Sequence, residues 1–189
     1  MFDPEIATVS NSSFKKTVEP TSKHYSKGHY VYVNESILNT VTSSNSRIEI
    51  DISEQRVKLY KTDGNKDRLA LETQVSTGKS AHPTPTGKYR ILEKSPAKQS
   101  NLYGKWVDAS SGSVLVSDGD SREPPSNRNA KFKGAKMPYW LRVTGGGAGL
   151  HIGYVPNGPA SHGCIRVPSK IQPTLYKKVR VGTPVTIVQ

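Results

Sequence analysis

Cysteine occurs once in the 189 residues, at Cys164. A single copy excludes an internal disulfide framework and any multi-cysteine zinc site. Acidic residues are scarce too, 15 against 27 Lys and Arg, and the formal net charge is +12. So basic a chain is drawn to polyanions, but it lacks a nucleic-acid recognition motif, and nucleic acid is not an expected partner. Hydrophobic residues are 33% of the chain, below the share usual for a compact globular protein, so part of the length reads as linker. No run of about 18 apolar residues occurs, which excludes a membrane-spanning helix. The opening MFDPEIATVS has neither a basic n-region nor an apolar h-region, so it does not read as a signal peptide. Either the protein is cytosolic or its chain begins after a removed leader.

Glycine and proline are plentiful, at 16 and 13. Many fall in turn-like pairs, which predicts short strands joined by loops. Residues 1–46 are rich in Ser, Thr, Asn and Lys and read as a flexible amino-terminal linker or tether. Within them the patch Tyr30-Val31-Tyr32-Val33 can dock as one strand, and KHYSKGHY reads as a solvated basic and aromatic tail. Order is expected from Arg47. Ile48, Ile50 and Ile52, then Val57 and Leu59, alternate with polar residues as a β-hairpin, and Leu69 to Val75 repeats the pattern as a third strand. The prolines of His82-Pro83-Thr84-Pro85-Thr86-Gly87 fix a rigid extended loop, and Tyr89 and Ile91 open a further strand. Residues 93–136 are polar, and Val114-Leu115-Val116 is the one strand expected there. The rest of this stretch reads as a lid, a binding loop or a disordered insertion. Strands follow at Met137–Thr144, Leu150–Ile152, Cys164–Val167 and Val185–Val188, with a short helix capped by Ser169 and confined by Pro173. The expected fold is all-β, mainly β with one short helix, as a sandwich or barrel over residues 47–189.

The chemistry concentrates in Gly149–Pro168, GLHIGYVPNGPASHGCIRVP. As extended chain, Ser161 to Arg166 puts His162, Cys164 and Arg166 on one face, with Ile165 and Val167 turned to the core. Gly163 lets a ligand approach the backbone N–H groups beside Cys164, and two such groups form an oxyanion hole. Arg166 can bind a carboxylate or depress the thiol pKa. A thiol needs a base to become a strong nucleophile, and His151 is the candidate, on a separate strand with nine residues between it and Ser161. No acid adjoins His151, so the sequence leaves its orienting group open, with a backbone carbonyl such as that of Ile152 as one candidate. A lone cysteine can also be a small buried hydrophobe, and His162 can be purely structural. His151, His162 and Cys164 are metal-ligand types, but no acidic second shell is evident, so neither metal nor cofactor is expected.

The stretch resembles the signature of the L,D-transpeptidase family, the YkuD-type catalytic domain: His151, a spacer, then Ser161-His162-Gly163-Cys164-Ile165-Arg166. Arg166 stands where the family more commonly has Asn, and the spacer is shorter than in many members. Val75-Ser76-Thr77-Gly78-Lys79, Thr84-Pro85-Thr86-Gly87-Lys88-Tyr89 and Met137-Pro138-Tyr139-Trp140 resemble its upstream elements. The resemblance implies a β-sandwich and a peptidoglycan substrate, the tetrapeptide stem. It implies Cys164 as nucleophile and His151 as base. Ser161, His162 and Gly163 would shape the site and its oxyanion hole, and Arg166, Tyr139 and Trp140 would contact substrate. It also implies action in the cell envelope, in the periplasm or a wall-facing space. A monomer is expected. Alternatives are an L,D-carboxypeptidase that uses water as acceptor and a non-catalytic wall-binding module.

Overall fold

The computed structural model describes residues 29–189. The linker expectation for residues 1–28, with most of KHYSKGHY, lies outside the described residues. The elements run β1 (Val31–Val33), α1 (Glu35–Leu38), β2 (Ser46–Asp51), β3 (Arg56–Asp63), β4 (Lys66–Gln74), β5 (Gly87–Arg90) and β6 (Glu93–Ser95). Then come β7 (Gln99–Asp108), β8 (Val114–Asp120), β9 (Ala130–Lys136), β10 (Trp140–Arg142), β11 (Gly149–Ile152), β12 (Ile165–Val167), α2 (Gln172–Lys178) and β13 (Pro184–Val188). Among the described residues no helix is long and apolar enough to cross a membrane.

The chain divides into two units, residues 96–138 and the remainder. The larger holds a six-stranded sheet in the order β1-β4-β3-β2-β13-β5 and a four-stranded sheet in the order β12-β11-β10-β6. Period-two alternation makes the first sheet: Ile48 faces Leu59 and Ile50 faces Val57 across β2 and β3, and all four are fully buried. The second sheet contributes Leu141, Leu150, Ile165 and Val167 to the same hydrophobic cluster, with Leu175 from α2. Each such side chain contributes roughly 1.5–3 kcal/mol by leaving water. The result is the expected mainly-β sandwich.

Three expectations change. Order begins before Arg47. β1 adds to the edge of β4, pairing Val31 with Thr73 and Val33 with Leu71. The Ser/Asn-rich residues that read as linker act as caps and turns instead. Asn34 Oδ1 accepts the Ile37 N–H at 3.1 Å to start α1, and Asn45 Oδ1 accepts the Thr42 N–H at 2.7 Å. Ser169 does not cap the second helix. That helix starts at Gln172 with Ile171 at its N-cap and no side-chain cap bond, and a proline in the first turn presets the backbone.

The third change is in the smaller unit, taken by itself. It is not a loop with one strand but a three-stranded antiparallel sheet in the order β8-β7-β9. Most of its residues are exposed or only partly buried, so neither face imposes an apolar alternation for a sequence reading to find. Its anchor is Trp106, edge-to-face with Phe132 at 5.3 Å and donating its indole N–H to the Asp120 carbonyl at 2.9 Å.

Candidate active site

β11 and β12 lie side by side in parallel register, Leu150 opposite Ile165 and His151 opposite Arg166. Opposed residues in a pair point to the same side of a sheet. Leu150, Ile165 and Val167 therefore fill the core, while His151 and Arg166 share the other side. Cys164 directly precedes β12, two residues from Arg166, and so belongs to that side too.

The His151 imidazole is 8% exposed. Its Nδ1 lies 2.8 Å from the Ile152 carbonyl oxygen. A carbonyl can only accept, so Nδ1 carries the proton, and in the neutral ring Nε2 is the lone-pair nitrogen. The carbonyl of residue 152 is thus the orienting group. Burial lowers the His151 pKa to about 4, against the favourable Ile152 bond and with a further push from Arg166. Trp140 forms the wall behind it, 3% exposed, with ring centroids 6.1 Å apart.

Cys164 is partly exposed and free. Burial pushes its thiol up from the ordinary value, while the backbone of Gly149 and the Arg166 charge pull it down. At neutral pH both groups rest uncharged, as thiol and imidazole.

The segment before Cys164 is not a strand. Gly163 has φ +104°, a conformation side chains rarely adopt, and it turns the chain sharply. The alternation expected from His162 to Cys164 is therefore broken; it holds only from Cys164 to Arg166. His162 instead lies beside His82, ring centroids 4.9 Å apart. The Gly163 N–H donates to Ser161 Oγ at 3.1 Å, and that hydroxyl donates to the Cys164 carbonyl at 2.5 Å. Ser161 is 1% exposed and acts as the internal brace of this turn.

A second layer of contacts fixes the turn from outside. Ser76 and Arg166 exchange backbone hydrogen bonds at 3.0 and 2.9 Å, and the Lys79 N–H donates to the Ser161 carbonyl at 3.0 Å. The Thr77 carbonyl accepts from Ala160 and Ser161, both at 3.0 Å. Gln55 holds Thr77 in turn, accepting its N–H at 3.0 Å and donating to its hydroxyl at 2.7 Å. The loop between β11 and Ser161 is pinned by Ser76 Oγ to the Gly158 carbonyl at 2.8 Å and by Gln74 Nε2 to Asn157 Oδ1 at 2.9 Å. Thr84 Oγ1 accepts the Gly78 N–H at 2.9 Å and donates to the Gly163 carbonyl at 2.9 Å.

Tyr139 and Trp140 are not equivalent. Trp140 is buried and packs against His151. Tyr139 has φ +55°, its carbonyl accepts from Gln172 Nε2 at 2.8 Å, and its ring meets Tyr176 edge-on at 5.4 Å. A non-glycine residue there carries local strain of roughly 1–2 kcal/mol. The bracing contacts of Gln55, Ser76, Thr77, Gly78 and Thr84 do not follow from the sequence alone. The available signals were the Val75-Ser76-Thr77-Gly78-Lys79 element and the Thr-Pro-Thr-Gly loop, and nothing marked Gln55.

A family profile for the L,D-transpeptidase catalytic domain, YkuD, matches residues 45–187. No curated protein sequence matches the chain. Among solved structures, an L,D-transpeptidase from Mycobacterium smegmatis is similar at 23% identity over 77% of this chain and 59% of that one, with a TM-score of 0.56. L,D-transpeptidase 1 of Mycobacterium tuberculosis is similar at 20% identity over 76% of this chain and 62% of that one, TM-score 0.53. A variant of an Enterococcus faecium L,D-transpeptidase shares 25% identity over 76% of this chain and 50% of that one, TM-score 0.50. This chain therefore spans less than two thirds of each. The profile covers most of the sequence and the folds agree: the chain belongs to the L,D-transpeptidase catalytic domain family.

Proposed function

We propose that the protein is a cysteine L,D-transpeptidase acting on the tetrapeptide stems of peptidoglycan in the cell envelope. The observation that carries the reading is the His151 Nδ1–H bond to the Ile152 carbonyl, on the strand beside the one that Cys164 introduces. It makes Nε2 a proton acceptor on the side of the sheet that carries the thiol.

Cys164 Sγ attacks the carbonyl carbon of the third stem residue as His151 Nε2 takes the thiol proton. Burial disfavours the charged form of both groups, so the pair starts from thiol and imidazole and the proton moves to Nε2 in the course of the acylation step. The Cys164 N–H faces the oxyanion that develops, while the Gly163 N–H stays with Ser161. The intermediate collapses with cleavage of the C–N bond. His151 returns the proton to the departing amine of D-alanine, leaving an acyl-thioester on Cys164. The amine of a second stem then attacks the thioester carbonyl, loses its proton to His151, and re-forms the thiol with a 3→3 crosslink. Arg166 holds a substrate carboxylate on the same side of the sheet. The net charge of +12 suits an anionic wall polymer.

The test is incubation with a disaccharide-tetrapeptide and mass spectrometry of the products. Loss of D-alanine with dimer formation is expected. Tripeptide monomers alone would make the enzyme an L,D-carboxypeptidase, and no turnover would leave a wall-binding module.

A further inference from the structure

We propose that Thr84 is a positioning residue for the oxyanion donor, the device that aims the Cys164 N–H. This rests on the reading of Cys164 as the nucleophile. A trans peptide is planar, and its C=O and N–H point in opposite directions. The Gly163 carbonyl and the Cys164 N–H belong to one such plane, so a bond that fixes the oxygen fixes the direction of the N–H. Gly163 itself, at φ +104°, lies where glycine turns easily, so the direction of this peptide plane depends on an outside hold.

Thr84 supplies the hold. Its side chain is buried, and its Oγ1 lies 2.9 Å from the Gly163 oxygen and 2.9 Å from the Gly78 nitrogen. The Gly78 N–H can only donate, so the hydroxyl accepts there and its single proton goes to the Gly163 carbonyl. The direction of the relay is thereby set: Gly78 N–H to Thr84 Oγ1, Thr84 O–H to Gly163 O. Gly78 is required for this approach. A Cβ on it would lie 2.1 Å from the His82 carbonyl oxygen, 2.7 Å from the Thr84 nitrogen and 2.9 Å from the Gly163 Cα. The prolines on either side of Thr84 stiffen the loop that presents the hydroxyl. The Thr-Pro-Thr-Gly loop thus acquires a task in catalysis without touching substrate.

The experiment compares wild type, Thr84→Val, Thr84→Ala and Thr84→Ser in two reactions of Cys164. The first is acylation by disaccharide-tetrapeptide, followed by rapid quench and intact-protein mass, which develops an oxyanion. The second is alkylation by iodoacetamide at about pH 9, which develops none. Thr84→Val and Thr84→Ala are expected to slow acylation on the order of 10- to 100-fold, with substrate half-saturation and alkylation within about 3-fold of wild type. Thr84→Ser, which keeps the hydroxyl, is expected to restore most of the acylation rate. Equal acylation by Thr84→Val and wild type overturns the inference. Parallel loss of acylation and alkylation, or unfolding of both hydroxyl-less variants while Thr84→Ser folds, overturns it as well, since the hydroxyl would then be a structural requirement. Failure of wild type to form any Cys164 adduct with the tetrapeptide is a different result, which removes the transpeptidase reading itself.

Discussion

The proposed base and the proposed nucleophile are held by different physics. His151 sits within β11, whose neighbour Leu150 is fully buried and paired with Ile165, so hydrophobic packing and strand register position it. Cys164 follows an irregular turn whose bonds come from Ser161, Thr84, Ser76 and Lys79, so polar contacts position it. The base site is therefore sensitive to volume and the nucleophile site to hydrogen bonding. Substitutions on the two sides should separate stability from chemistry.

The largest effect expected is on chemistry. His151→Ala should slow acylation of Cys164 by about 10²–10⁴-fold, read by rapid-quench mass spectrometry. Alkylation of the thiol at high pH should survive, since the external base replaces the imidazole. Next in size, Leu150→Ala should cost about 2–5 kcal/mol in denaturant unfolding. Acylation by the fraction that stays folded should change far less. An acylation loss that exceeds the stability loss would erase the distinction between the two sides.

The third prediction concerns pH. His151 has a native pKa of about 4 and an unfolded value near 6.5. The native state therefore binds fewer protons. The contribution is complete above about pH 6.5 and is lost as pH falls toward 4, by roughly 3 kcal/mol in total. Urea unfolding across that window should show the decline in wild type and a flatter profile in His151→Gln. The acid limb of acylation should likewise fall near pH 4. A limb near 6.5 would mean that the imidazole is solvated and that packing does not set the base.

On the polar side, Ser161→Ala removes the brace between the Gly163 N–H and the Cys164 carbonyl. It should cost about 1–3 kcal/mol and slow acylation with it. The smallest effect belongs to the other unit. Val114 is 53% exposed, and Val114→Ala should change thermal stability by less than about 0.5 kcal/mol.

The same division explains what could be read from sequence. Ile48, Ile50, Val57 and Leu59 each have one buried face, so period two exposes their strands and hence the sandwich. The Ser-His-Gly-Cys run with His151 upstream carries the resemblance to the family that the profile shows, and the absence of an acid beside His151 fits the Ile152 carbonyl that meets its ring. Of the strands in residues 96–138, the one at Val114 is legible from its apolar triplet, while β7 and β9 are not, because exposed faces impose no pattern; Trp106 and Phe132 do their packing without periodicity. The turn is not legible because strand alternation runs unbroken through the sequence at Gly163, and only the positive φ breaks it. Thr84, Gln55 and Ser76 act through backbone atoms distant in sequence, a pairing that spacing does not encode.

The most direct measurement is the covalent intermediate. Wild type and Cys164→Ala are mixed with disaccharide-tetrapeptide, acid-quenched, digested and mapped by mass spectrometry. The account predicts a disaccharide-tripeptide thioester on the peptide containing Cys164, equal to the substrate less D-alanine, and no adduct or product from Cys164→Ala. The same products from Cys164→Ala, or an adduct on any other residue, would contradict it.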